Sequence, residues 1–205
     1  VKELPDINMD ILIETEGEEV REMTRLNAIE LIKTPKGETV IDFGQNLTGY
    51  VEWRVPAKKG KEFKLYHAEI LDKDGNFYTE NLRGAKAQVT VISDGVERVY
   101  KPHFSFQGFR FIRLTEYPME TVDVNDFIAV VIHSDMKRTG HFECSDPLVN
   151  RLYENTVWGQ KGNYLDIPTD CPQRDERQGW TGDAQVFCRA AAYHYDVYKF
   201  MRKWL

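Results

Sequence analysis

Phe142-Glu143-Cys144-Ser145-Asp146-Pro147-Leu148-Val149-Asn150-Arg151-Leu152 divides the chain, because the hydrophobic period before it differs from the period after it. Ser145-Asp146-Pro147 reads as a helix start. An oxygen-bearing side chain can cap the first free N–H groups, and proline is tolerated at the first helical position, where an N–H has no partner anyway. Leu148, Val149, Leu152 and Val157 then recur at helical spacing. Upstream, from Val1 to about His133, apolar and β-branched residues come in short runs bounded by turn residues, the pattern of an all-β unit. Strands are expected at Thr39–Phe43, Gly49–Val55, Glu62–Ile70, Ala87–Ile92, Phe109–Leu114 and Phe127–His133. Pro35-Lys36-Gly37, Lys59-Gly60, Asp74-Gly75 and Asp94-Gly95 punctuate them, since glycine reaches positive φ without a Cβ clash. A jelly-roll-like β-sandwich is the expected closure, because one open sheet would leave an apolar face wet.

Downstream, Asn163 to Gly182 holds two prolines, glycines and many charges, which is loop chemistry. Helical composition returns over Ala184–Tyr193 and Val197–Leu205. The residues after Ser145 hold about three helices of ordinary length, too few to enclose a core of their own. The expected architecture is therefore a β-sandwich domain over 1–143 followed by an incomplete all-α segment over 144–205, in a chain that is part of something longer. Apolar helix faces around Phe187, Tyr198, Phe200 and Trp204 are expected to be exposed and prone to self-association.

The 205 residues carry 27 Lys and Arg against 33 Asp and Glu, a net charge of −6. Basic residues do not cluster with aromatics, so a nucleic-acid partner is not expected. No apolar run approaches the roughly 18 residues of a membrane span, so membrane insertion is not expected either. Cys144, Cys171 and Cys188 make an odd count without C-x-x-C spacing, which supports neither a disulfide framework nor a zinc knuckle. His67 and Glu69 share a strand face at i and i+2 but lack a third ligand in sequence reach, so they read as a satisfied structural pair. His103, His133, His141 and His194 are scattered without metal spacing. No metal and no cofactor is expected, and the composition leaves cytoplasmic and exported locations equally open.

Chemistry concentrates in Thr169-Asp170-Cys171-Pro172-Gln173-Arg174-Asp175-Glu176-Arg177-Gln178-Gly179-Trp180-Thr181-Gly182-Asp183, a loop leading into a helix. Four acids beside two arginines, with Trp180 and Pro172 among them, suit a partly enclosed polar pocket better than a freely solvated run. A carboxyl group there could be pushed toward neutrality by its acidic neighbours and an apolar wall, as a general acid requires. Arginines would fix the other carboxylates for hydrogen bonding to hydroxyls, and an indole offers a face to the C–H surface of a sugar. The bland alternative is an ion-pair network bracing a helix, with Asp183 as the N-cap of a helix from Ala184. Cys171 has no histidine nearby in sequence and reads as a packing residue.

This run resembles the signature of bacterial α-L-rhamnosidases of glycoside hydrolase family 78. The resemblance extends through Asp42-Phe43-Gly44-Gln45-Asn46, His67-Ala68-Glu69, Asp74-Gly75, Asn81-Leu82-Arg83, Gly108-Phe109-Arg110-Phe111 and Phe142-Glu143-Cys144-Ser145, covering roughly Arg25 to Leu205. Gln178 departs from it, standing where the family usually has an aliphatic residue. The resemblance implies a β-sandwich followed by the opening helices of a catalytic (α/α)6 barrel. It implies that Glu176 is the general acid, that Asp170, Arg174 and Asp183 contact rhamnose hydroxyls, and that Trp180 walls the sugar pocket. It also implies inversion at the anomeric carbon, a rhamnose-containing glycoside or polysaccharide as substrate, and a base glutamate beyond Leu205, without which the isolated chain would be inactive. A carbohydrate-binding or scaffolding β-sandwich module, or a hydrolase of the same barrel acting on another sugar, are the alternatives.

Overall fold

The structure is a computed structural model and describes residues 8–118 and 122–205. Its first part is built from β1 (Val20–Asn27), β2 (Glu30–Lys33), β3 (Thr39–Val55), β4 (Glu62–Ala68), β5 (Gln88–Ile92), β6 (Arg98–Tyr100), β7 (Gln107–Thr115) and β8 (Phe127–Ser134). All pairings are antiparallel. Hydrogen bonding runs without a break through the order β1-β8-β3-β7-β4-β5, with β2 and β6 also on β3. The sheet curls round one apolar core, to which β3 gives Ile41, Phe43, Leu47, Val51, Trp53 and Val55. The period of two explains that set, since alternate side chains of a strand share a face.

The long β3 unites what the sequence suggests are two strands. Its pairing with β7 breaks register between Asp42 and Leu47, where Gly44 has φ +75°. The irregularity is pinned by a fork: Arg110 donates from Nε and Nη2 to the two Asp42 oxygens at 2.8 and 2.7 Å. Asp42 also accepts from the Gly44 N–H at 2.6 Å. Phe109 and Phe111 then fall on opposite faces, the first in the main core and the second in a smaller cluster with Val40, Ala68 and Phe77. Both are buried core residues.

The second part opens with α1 (Pro147–Asn163), continues through a short hairpin of β9 (Tyr164–Leu165) and β10 (Ile167–Pro168), and ends in α2 (Thr181–His194) and α3 (Tyr198–Trp204). Asp146 caps α1, accepting from the Leu148 N–H at 2.8 Å, with Pro147 in the first turn. The second core gathers Met136, Val157, Tyr164, Ala191, Tyr195, Val197 and Phe200. Phe200 is only 1% exposed and stacks on Tyr164 at 4.5 Å. This corrects the expectation that Phe200 lies on an open face, because the β9–β10 hairpin folds Tyr164 over it. Tyr198 is exposed as expected, together with Val186 and Leu205. Among the described residues no helix is long and apolar enough to cross a membrane.

Candidate active site

The acid loop hangs between β10 and α2 and packs against the sheet. At its start Asp170 adopts φ +63°, and the Cys171 N–H returns to the Thr169 carbonyl at 2.7 Å, closing a three-residue turn around Asp170. A non-glycine residue held there is strained, and such strain collects where a side chain must be aimed. Asp170 and Asp183 both line a cleft of about 420 Å³ between α1 and α2, with Gln160, Asn163, Tyr164 and Phe187 among its other walls. Asp170 also reaches a neighbouring cleft of about 360 Å³ between α1 and the sheet.

Glu176 is not among the residues lining either cleft; it lies within 4.8 Å of Asp170 and Cys171, in a cage of cations. Arg174 donates to one of its oxygens at 3.0 Å, and Arg83, from the turn after β4, donates to the other. Partial burial favours the protonated form, but hydrogen bonds from Arg174, Arg83 and Cys171 outweigh it and hold the carboxyl below its ordinary range. The expectation of a carboxyl pushed toward neutrality by its acidic neighbours is therefore not met in this arrangement. The nearest charged partners are guanidinium groups, one of which the loop sequence does not contain.

The Cys171 thiol donates to Asp170 at 3.1 Å. Burial, then the adjacent Asp170, pushes it up to about 12, so it is a protonated donor and no nucleophile. Asp170, Cys171 and Glu176 present polar atoms within 4.8 Å of one another. A protonated thiol and a carboxylate already holding two guanidinium groups make a hydrogen-bonded network of that trio, ill-suited to a cation.

Trp180 is 41% exposed and is not among the residues lining the larger cleft. Its indole N–H donates to the Glu176 carbonyl at 3.0 Å, and its own N–H to the Pro168 carbonyl at 3.2 Å. Trp180 is also the residue that precedes α2, without a side-chain cap. The helix therefore starts at Thr181, and Asp183 falls in its first turn rather than at the cap. There its charge still suits the helix dipole while its side chain is free to face the cleft.

The sheet grips the loop at several points. A Cβ on Gly108 would lie 2.9 Å from the Gln173 nitrogen, and one on Gly84 would lie 3.3 Å from Asp175 Oδ2. Arg177 donates to Gln107 at 3.0 Å and covers the Phe106 ring at 4.5 Å. His67 and Glu69 do not form a pair, and Glu69 lines the smaller cleft together with Asp170. His67 is buried against Ala87 and Phe109, whereas Glu69 accepts from Asn46 and Asn81 at 3.0 and 3.2 Å. Nothing in the sequence around Asn81-Leu82-Arg83 marks Arg83 as a partner of the acid. No local pattern couples residues 93 positions apart.

Two family models match the chain. Residues 32–133 match the bacterial α-L-rhamnosidase concanavalin-like domain, and residues 137–205 match the bacterial α-L-rhamnosidase six-hairpin glycosidase domain. An α-L-rhamnosidase of Streptomyces avermitilis is 40% identical over 201 residues, 98% of this chain and 19% of that protein. One of Alteromonas sp. strain LOR is 41% identical over 91% of this chain and 20% of its own length. Among solved structures, the Streptomyces avermitilis α-L-rhamnosidase complexed with L-rhamnose superposes with a TM-score of 0.89, at 40% identity over 94% of this chain and 19% of that one. The native Aspergillus terreus enzyme gives 0.91 at 41% identity, over 97% of this chain and 23% of that one. The chain thus spans about a fifth of the length of the curated relatives it matches.

Proposed function

This chain belongs to the bacterial α-L-rhamnosidase family, and from that premise we propose that the complete protein cleaves terminal α-L-rhamnose from rhamnosides by an inverting acid/base mechanism with Glu176 as the acid. One observation carries the reading. Asp170 and Asp183, 13 positions apart, face one cleft, and Glu176 is linked to Asp170 through the Cys171 thiol. Asp170 and Asp183 accept hydrogen bonds from sugar hydroxyls, Arg174 donates to them, and the half-exposed Trp180 ring is covered by the sugar's C–H face.

A general acid must carry a proton when the glycosidic oxygen departs, and Glu176 rests ionised between two arginines. Sugar hydroxyls that draw Arg174 away remove one of those cations, raising the proton affinity of Glu176 when the leaving group is in place. Inversion needs a second carboxylate on the opposite face of the sugar, roughly 6.5–9.5 Å from the acid, to activate water. That base comes from outside these 205 residues, so the isolated chain is inactive. In this division 1–143 is the sandwich domain and 144–205 opens the catalytic helical domain.

The test is hydrolysis of an aryl α-L-rhamnoside by the complete protein, with the first-formed anomer followed by NMR. On a rhamnoside with a basic, unactivated leaving group such as the phenyl or methyl glycoside, β-L-rhamnose forming first, and a loss of about 10²–10⁴ in kcat for Glu176→Gln, are expected. Retention of configuration, or an unimpaired Glu176→Gln, refutes the mechanism. A folded protein that ignores the rhamnoside but turns over another glycoside refutes the substrate.

A further inference from the structure

We infer that Arg83, carried by the sheet and not by the catalytic loop, is a positioning residue for Glu176, fixing the carboxylate from outside the helical part of the protein. The two carboxylate oxygens are divided between two guanidinium groups. Arg174 holds Oε2 from two residues away, and Arg83 holds Oε1 from across the boundary between the two parts. The turn that presents Arg83 is itself fixed. Leu82 is buried, Asn81 donates to Glu69 at 3.2 Å, and Arg83 sits at φ +54°, a backbone conformation that a non-glycine residue keeps only when its surroundings impose it. Gly84 lets the same turn close on Asp175.

The inference rests on the reading of Glu176 as the acid. The titratable and charged groups facing Glu176 are Arg174 and the Cys171 thiol from its own loop, with Asp170 behind the thiol, and Arg83 from the sheet. Arg177 is turned away to Gln107 and Phe106. Arg83 is 54% exposed, so as a mere surface ion pair it would contribute little and would leave the acid unaffected. As a positioning group it also keeps Glu176 ionised, and its removal makes the carboxyl easier to protonate. Activity that depends on a protonated acid then persists to higher pH.

The experiment is the pH dependence of kcat/KM, which reports the free enzyme, on an aryl α-L-rhamnoside with the complete protein. In Arg83→Gln, and equally in Arg83→Met as a second neutral variant, the alkaline limb is expected to move up by about one pH unit. Arg83→Lys keeps the charge and is expected to restore the wild-type limb. In a Glu176→Gln background Arg83→Gln is expected to add no further loss. An unmoved limb in both neutral variants, with Glu176→Gln severely impaired, overturns the role of Arg83 while leaving the acid assignment standing. An unimpaired Glu176→Gln overturns both.

Discussion

His67 is 1% exposed, and its ring meets the Ala87 carbonyl at 3.0 Å through Nδ1 and the edge of Phe109 at 4.9 Å. Burial, which disfavours the imidazolium, pulls it down to about 4; the hydrogen bond to Ala87 opposes the shift only in part. His133 and His194 are lowered by burial as well. The unfolded chain takes up a proton at His67 as the pH falls through about 6.5, whereas the folded chain resists until about 4. The stability contributed by the neutral ring is therefore complete above pH 6.5 and is lost as the pH falls toward 4, by about 3 kcal/mol at most. Denaturant unfolding between pH 7 and 4 measures this, and His67→Leu is expected to flatten the curve. A variant with the wild-type slope would place the acid sensitivity elsewhere. At this scale the sequence identified His67 as structural, but it paired His67 with Glu69. The strand ends at Ala68, so the alternation that would align the two no longer applies.

Among the elements, those that bury one face against the core were readable, and those at the margins were not. β4 follows its apolar alternation, β7 and β8 stand where their long apolar runs place them, buried on both faces, and α1 starts at the Asp146-Pro147 signal. β1 escaped notice because nearly all of its residues are exposed, leaving no hydrophobic period, and β6 is three residues long. α2 begins three residues before Ala184, since Thr181 and Gly182 continue the helix without a side-chain cap. The contact of β7 with the acid loop gives a prediction that belongs to these elements. Gly108→Ala places a methyl against the Gln173 backbone, at 2.9–3.0 Å from its N and Cα, so the loop must shift. A displacement of about 1 Å in a catalytic group can cost on the order of 100-fold in rate, and a loss of tenfold or more in kcat/KM is expected for the complete protein. Thermal unfolding monitored alongside separates a displaced loop from a damaged sheet. Wild-type kinetics would show that the loop is indifferent to β7. A second prediction concerns α1, where Asp146→Ala removes the cap on the Leu148 N–H and is expected to destabilise the chain by about 1 kcal/mol, read from the denaturant midpoint.

At the scale of the whole molecule, the sheet and the helices meet at the proposed site. Thr48 of β3 donates to the Gly162 carbonyl at the end of α1 at 2.9 Å, while Arg83, Gln107 and Gly108 hold the acid loop. The sandwich is thus part of the support of the site, and an apolar count along the sequence could not reveal it. Sequence motifs singled out the acids of the loop as candidates. They did not foresee the ionised state of Glu176, because a charge environment is set by long-range packing. The exposed Val186, Tyr198 and Leu205 belong to the same scale, as helix faces that this segment leaves uncovered. The measurement that tests the central claim most directly is the leaving-group dependence of kcat/KM for the complete protein and its Glu176→Gln variant, across α-L-rhamnosides from dinitrophenyl through phenyl to alkyl. An acid that protonates the departing oxygen matters most where that oxygen is most basic. The variant is expected to approach wild-type rates on the dinitrophenyl substrate and to fall by about 100-fold or more on the alkyl one. An equal loss across the series would contradict the assignment of Glu176 as the acid.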